Sequence, residues 1–517
     1  MRPTFLGFEA AKSAIFTNQK SIDIMGNNLA NVNTAGYTRQ RVERTSIAPS
    51  SYTTRVASSR TGLLGQGVEA QGVSQVRDTF LDKRFRDTYS VSSYHAQAAE
   101  ILDGIQSALS DGNDVTDESG LYGAMKQLME SLNDYIKDPT MDTEANLVMS
   151  SFKNMTQVLR QMDTSLVSLA SRHADDLETG VNRVNDIVEQ IANLNHMIGD
   201  DASVVADPDN EYFRSNELQD QRNLLLDELA SYGNIDVIPQ SNGKINVLMG
   251  GHSLVEGNSF DSINLSKNQD GTVSMVWRST GESLAINAGS LLANIHFING
   301  RGNNVQANTE EPNQGIPYYR DQLDTFARSL MEMVNHTVPQ LDEATGKPAV
   351  DAGGNTVYKT LLAAVTDSGA TSTLEKVTAA NISISDQWTQ GGAGYFIYSR
   401  DESVEDYAQQ LAYQLTEKEF TFNSYGEKYT GTFVDFEVNF LGKVGSDLSF
   451  HEGRQAATSS VADDFLSRRD EVSGVSKDEE TADMLKYQKS YEAASRVMTV
   501  LDDLLDVIIN RMGRAGL

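Results

Sequence analysis

Read by sevens, the start of the chain places Phe8, Ile15, Ile22 and Leu29 on one line, with Ala11, Asn18, Met25 and Val32 three residues on. Apolar residues at these two heptad positions make the narrow seam of a coiled coil. The end of the chain repeats the pattern: Met484, Tyr491, Met498, Leu505 and Met512 by sevens, and Tyr487, Ala494, Leu501 and Ile508 three on. Two narrow stripes at opposite ends of one chain bury each other most simply as a pair, which brings both ends to one pole and gives an out-and-back chain path. One isolated pair leaves much helical surface uncovered, so the seams are expected to order against neighbouring copies.

Between the ends the period changes more than once. Val148, Phe152, Met155, Leu159, Met162, Leu166 and Leu169, continued by Ile187, Ile191, Leu194 and Ile198, alternate three and four apart, and this spacing predicts a long bundle helix. A helix over Asn216–Tyr232 follows the acidic stretch 200–210, which has no calcium-loop spacing and reads as a solvated loop. From Ile235 apolar and polar residues alternate, and Asn242-Gly243 between two such runs predicts a hairpin with a type I′ turn. Strand-like runs at 262–265 and 273–277 extend a β-rich part to about residue 310, before Tyr319, Leu323, Phe326, Leu330 and Val334 restore helical spacing. Helical pattern resumes at Tyr407, Leu411 and Leu415 and, after a break at 420–429, runs into the terminal seam.

The expected fold is therefore mainly α with an inserted β-domain, nested along an out-and-back path. Its parts are a terminal coiled-coil assembly domain (1–60 plus 466–517) and a helical-bundle domain (61–234 plus 311–340 plus 400–465). Beyond them lie an outer β-rich domain (235–310) and a small variable outer insertion (341–399). A chain of 517 residues supports several such units, because single cores stop growing at roughly 250 to 300 residues.

Charge narrows the partners. The formal charge of -30 argues against nucleic acid or an anionic membrane, both of which need a positive footprint. Residues 1–60 run against that trend, with eight Lys or Arg against three acids, and Arg39, Arg41 and Arg44 are read as ion-pairing groups between subunits. No apolar run has the length of a membrane span, and Glu9 and Lys12 interrupt the first residues before a signal-peptide core can form. The chain has no cysteine, and its seven histidines show no HExxH or similar ligand spacing. Without a GxSxG, Walker A or GxGxxG sequence either, no catalytic, cofactor-binding or metal-binding residue is expected, and the protein reads as structural.

The helix at the start of the chain closes on Ala30-Asn31-Val32-Asn33-Thr34-Ala35-Gly36-Tyr37, followed by Thr38-Arg39-Gln40. Asn and Thr suit a helix end, Gly36 suits a positive φ, and Tyr37 suits an anchor. The segment resembles the ANxxTxGY or ANxxTxGF turn of the flagellar axial proteins, with Ala35 where that family usually has Pro. The continuation Tyr37-Thr38-Arg39-Gln40, the stretch from Gly67-Val68 through Arg77 to Arg84, and Leu218-Gln219-Asp220-Gln221-Arg222 resemble the hook-associated protein 1 branch, as against hook or rod proteins. So does Ser473-Gly474-Val475-Ser476-Lys477-Asp478-Glu479-Glu480, in which Ser476 suits a helix cap and the acids suit the helix dipole.

The resemblance implies a structural subunit that assembles with itself in a ring at the junction of hook and filament, outside the cell. It implies hook protein on the proximal side and a second junction protein, hook-associated protein 3, on the distal side. It also implies uncleaved passage through the flagellar type III export apparatus with a cytoplasmic chaperone, and no cofactor. The candidate assembly residues are Phe8, Ile15, Ile22, Met25, Leu29, Met484, Tyr487, Tyr491, Met498, Leu501, Leu505 and Ile508. The turn residues are Ala30, Asn31, Asn33, Thr34, Gly36 and Tyr37.

Overall fold

The computed structural model describes residues 6–47, 67–110, 120–200, 215–268, 272–302, 314–342, 347–366, 369–371, 377–396, 407–424 and 427–507, together with Thr345 and Ile509. It is mostly helical, with small sheets. Helix α1 (Leu6–Ala30) ends at the turn, after which β1 (Gln40–Ser46) and β2 (Val68–Gln75) pair antiparallel. This ribbon is absent from the sequence expectation for a physical reason. Val42 is the only buried apolar side chain on β1, and the flanking Arg41, Glu43, Arg44 and Thr45 mask any alternation.

The body is built on α2 (Thr79–Leu109), α3 (Gly120–Lys137) and α4 (Asp142–Gly199). Asp78 caps α2 by accepting from the Phe80 amide at 2.9 Å. The 58-residue α4 follows the three-and-four spacing throughout and serves two cores in turn. As far as Leu169 its apolar face joins a large helical core, and from Leu177 onward it packs under a β-rich one. Helix α5 (Asn216–Tyr232) has the expected span.

Strands β3 (Ile235–Pro239), β4 (Ile245–Met249), β5 (His252–Glu256) and β6 (Ser259–Phe260) form an antiparallel sheet in chain order, and β7 (Ile263–Lys267) pairs β8 (Val273–Trp277). The β3–β4 turn differs from the expected two-residue type I′. The Gln240 carbonyl accepts from the Gly243 amide and the Gln240 amide donates to Lys244, so the loop has three residues, with Gly243 at φ +80. A glycine in the left-handed region is the requirement of a type I turn closed by a bulge, and Asn-Gly alone does not separate the two geometries.

Helix α6 (Ser290–Asn299) returns the chain to the body, followed by α7 (Ile316–Asn335). The described parts of 341–399 comprise the small β9 (Leu362–Thr366), β10 (Gly369–Thr371) and β11 (Ile382–Ile384) sheet and α8 (Asp386–Phe396). They lie against the large core: Trp388 is fully buried, edge-on to Phe152 at 5.6 Å and stacked on Phe396 at 5.5 Å. After α9 (Tyr407–Leu415), the hairpin β12 (Thr421–Ser424) and β13 (Glu427–Thr430) puts Phe422 flat against Phe436 at 4.4 Å. Helix α10 (Phe433–Ser473) starts in a capping box between Thr432 and Asp435 and lies along α2. Helix α11 (Lys477–Asp506) then lies along α1. Among the described residues no helix is long and apolar enough to cross a membrane.

Candidate assembly surface and its anchoring node

Helices α1 and α11 run antiparallel. At one end the space beside Gly7 is taken by Leu501, whose Cδ1 would lie 3.5 Å from an added Cβ; at the other, Asn28 meets Glu480. On α11, Met484, Tyr487, Tyr491, Ala494, Met498, Leu501 and Leu505 are all half-buried, and together they form the face toward α1. Ile508 lies outside the described residues. On α1 the burial line is displaced to one side of the expected seam. Ala11, Asn18 and Met25 are buried together with Thr17, Ser21 and Asn28, whereas Phe8, Ile15, Ile22 and Leu29 are half-buried.

The β1–β2 ribbon accounts for the displacement. It covers the polar flank of α1: Arg44 donates to Ser21 Oγ at 2.7 Å, the Val68 amide donates to Ser13 Oγ at 3.3 Å, and Asn28 Nδ2 donates to the Gln40 carbonyl at 2.9 Å. Small and polar side chains are therefore inside, where they bond the ribbon, and the larger apolar ones sit at the edge of the pair. A second apolar line on α11 stays exposed among the described residues. Val497, Val500, Leu504 and Val507 follow one another at three and four residues and are all exposed, as is Phe16 on α1.

The turn after α1 ties this pair to the body. Asn31 Nδ2 donates to the Asn27 carbonyl at 3.0 Å, closing the helix end, and Thr34 bonds back to Asn31. Gly36 has φ +77, in the left-handed region that glycine tolerates. An added Cβ there would fall 2.5 Å from Leu224 Cγ on α5. Tyr37 Oη donates to Asn28 Oδ1 at 2.8 Å, which ties the ring to α1. Burial, reinforced by Asp220, Glu217 and Glu480, holds its phenol far above the ordinary range and hence protonated. Ala30 and Asn33 are exposed.

Asn28 is the centre of the node. Its Oδ1 also accepts from the Gln40 amide at 3.0 Å, and its Nδ2 also reaches Glu480 Oε2 at 3.0 Å. Glu480, fully buried in the first turn of α11, takes Arg39 Nε on its other oxygen at 2.7 Å. On the body side, the Asp220 carboxylate of α5 accepts from the Thr38 amide at 3.1 Å and from Gln75 Nε2 at 2.8 Å. Burial pushes its carboxyl above the usual range, while these donors and Arg77 oppose the shift. Arg77 bridges Thr38 Oγ1 and Asp82, and Arg469 of α10 pairs with Asp227 of α5 at 2.7 Å. The Arg39 amide donates to the Ser473 carbonyl at the α10–α11 elbow.

Arg39, Arg41 and Arg44, expected to pair between subunits, all have partners within the chain. Arg39 is on Glu480 and Glu479, Arg41 is on Glu43, and Arg44 is on Ser21 with its guanidinium 4.2 Å from the Tyr487 ring centre. The sequence does not single out Asn28, which is one more polar residue near a helix end. Glu480 reads there as a complement to the helix dipole, whereas its buried role depends on a residue 452 positions away. Ser476 caps α11 as expected, accepting from the Glu479 amide.

Three family models match separate parts of the chain. Residues 103–348 match the flagellar hook-associated protein FlgK helical domain. Residues 466–512 match the flagellar basal body rod FlgEFG protein C-terminal model, and residues 8–38 match the flagella basal body rod protein. The flagellar hook-associated protein 1 of Bacillus subtilis (strain 168) is 28% identical over 547 aligned residues, covering 100% of both chains. The chain belongs to the flagellar hook-associated protein 1 family. The Escherichia coli (strain K12) protein of that name is 24% identical over 97% of this chain and 98% of its own length. The Salmonella typhimurium one is 30% identical over 48% of this chain and 42% of its own. The flagellar hook junction protein FlgK from Burkholderia pseudomallei matches in structure with a TM-score of 0.40 and 19% identity, over 56% of this chain and 47% of that one.

In this hook-associated protein 1 family member the node is where the three matched segments meet. Asn28 and Tyr37 belong to the first, Asp220 to the helical domain, and Glu480 to the C-terminal one. The family is a structural one of the bacterial flagellum. Among the described residues no group of three His, Asp or Glu is placed to hold a metal ion.

Proposed function

We propose that this protein forms the junction ring between hook and filament, assembling as a coiled coil of α1 and α11 packed against the same helices of neighbouring copies. Residues 1–60 with 466–517 are the assembly part. The helical body (61–234, 311–340 and 400–465), the β-rich part (235–310) and residues 341–399 are carried outward on the nested path. Hook protein lies on the proximal side and hook-associated protein 3 on the distal side. The chain reaches this place uncleaved through the flagellar type III export apparatus, held before export by a cytoplasmic chaperone.

One observation carries the reading: the seam of α11 is only half covered by α1, and Val497, Val500, Leu504 and Val507 form a further apolar line that is exposed among the described residues. Contiguous exposed apolar side chains on a helix mark a surface that another protein buries. At a junction ring that protein is the next subunit. Deletion of the gene in its flagellated host, followed by electron microscopy and an assay for flagellin in the medium, tests the role. Hooks without filaments, with flagellin shed, are expected. Missing hooks would mean a rod or hook component instead, and normal filaments would end the reading.

A further inference from the structure

Three of the seven histidines, distant in sequence, come together between helices. His95 on α2 and His451 on α10 face each other with their Nδ1 atoms 3.1 Å apart and their ring centres 5.1 Å apart. Tyr94, next along α2, bonds His296 Nδ1 of α6 at 3.1 Å and stands edge-on to both His95 and His296. Phe450 and Phe297 complete the aromatic walls, edge-on to His95 and His451.

Two facing Nδ1 atoms at this distance hold one proton. A neutral imidazole carries a single N–H, so one ring must be the Nδ1–H tautomer and donate, while the other carries its proton on Nε2 and accepts. One further proton leaves an imidazolium that still donates to its neutral partner; only when both rings are protonated do two N–H groups stand head to head, with two positive charges in a half-buried space. We propose that the His95–His451 pair is an acid-sensitive latch: a single shared proton fastens α10 to α2 near neutral pH, and protonation of both rings releases it.

The surroundings favour the neutral pair. From α10, Arg454 bears on His95; from α2 and α6 come Tyr94 and His296, already bonded to each other; and His95 opposes charge on His451. Burial lowers the affinity of both rings for a proton, taking His451 to about 4. The position gives the latch a reach. Farther along, α10 carries Arg469 to Asp227 and then passes through Ser473 into α11, so the latch fixes the body end of the helix that leads to the assembly surface.

The direction of the pH effect follows from linkage. The unfolded chain takes up the proton near pH 6.5 and the folded one near pH 4, so stability falls as the pH drops through that interval and levels off below it. At pH 5, His451 alone weakens the folding equilibrium by about 30-fold relative to pH 7.5.

The test has two parts, both on the full chain. Histidine-selective 15N NMR near neutral pH should find both imidazoles neutral, one protonated on Nδ1 and one on Nε2, with His451 still neutral at pH 5.5 and with His95→Gln and His451→Gln assigning the signals. Both rings titrating in the ordinary range, or both with the proton on Nε2, would overturn the latch. Urea unfolding of the His95→Gln/His451→Gln double variant, whose amides still pair but do not titrate, should lack the 30-fold weakening between pH 7.5 and 5. The same weakening in both proteins would overturn it equally, and if the double variant does not fold, the tautomer measurement on the unaltered chain decides alone.

Discussion

Replacing Glu480 by Ala removes the one side chain that joins α11 to the α1 turn through both of its oxygens. Glu480 has 0% side-chain exposure, against 24% for Arg39. Removing one partner of a buried ion pair costs about 3 to 5 kcal/mol, because the other charge is left without compensation. Here the loss is smaller. Arg39 retains Glu479 at 3.3 Å and some access to water, while Asn28 keeps the Gln40 carbonyl at 2.9 Å. The expected cost is about 2 to 3 kcal/mol, or roughly 30- to 150-fold in the opening equilibrium of the α1–α11 pair. Native-state amide exchange reads that equilibrium directly, at the last turn of α1 and the first turn of α11. Glu479→Ala is the control, since Glu479 is 66% exposed and such a pair is worth about 0.5 kcal/mol. If the two variants open alike, the node does not anchor the helices and the argument fails.

Three further substitutions probe other parts of the molecule. Gly36→Ala forces a side chain into φ +77 and against Leu224, and should cost about 1 to 2 kcal/mol in chemical denaturation, part of it returned when Leu224→Ala clears the space. Asp220→Asn turns an amide N–H₂ toward either the Thr38 amide or Gln75 Nε2, both donors, and should cost about 1 to 3 kcal/mol by the same measurement. Glu437 on α10 is buried with one oxygen unpartnered, and burial pushes its carboxyl up to about 8. Because the unfolded chain ionises near 4.5, Glu437 withdraws stability as pH rises from that value to 8, so Glu437→Gln should flatten the decline across that interval by roughly a few kcal/mol. An unchanged decline would mean that the carboxyl finds solvent or a cation.

Periodic features were legible in the sequence. The long α4, the span of α5, the strands on either side of residue 270 and the α11 seam all follow from spacing alone, because each repeats a pattern over several turns or alternations. What escaped depends on single distant partners. The polar β1 strand acquires meaning only beside α1, whose buried line it draws toward Ser21 and Asn28. The Asn242-Gly243 dipeptide fits two hairpin geometries, and the bond from Gly243 to Gln240 chooses between them. Glu480 and Asp220 look like ordinary surface acids until Asn28 and the Thr38 amide are placed against them. The histidines show no ligand spacing along the chain, yet folding sets His95 beside His451.

The central claim is that α11 is buried by neighbouring copies along a face the monomer leaves open. Val500→Asp/Leu504→Asp puts two charges on that face, where both side chains are more than half exposed. The decisive measurement is complementation of the deletion strain with this variant, scored by electron microscopy of hooks and filaments, after the purified variant is shown to unfold at the same denaturant concentration as the unaltered chain. The account predicts an intact fold and hooks that carry no filament. Filaments of normal number and length on that variant would contradict it.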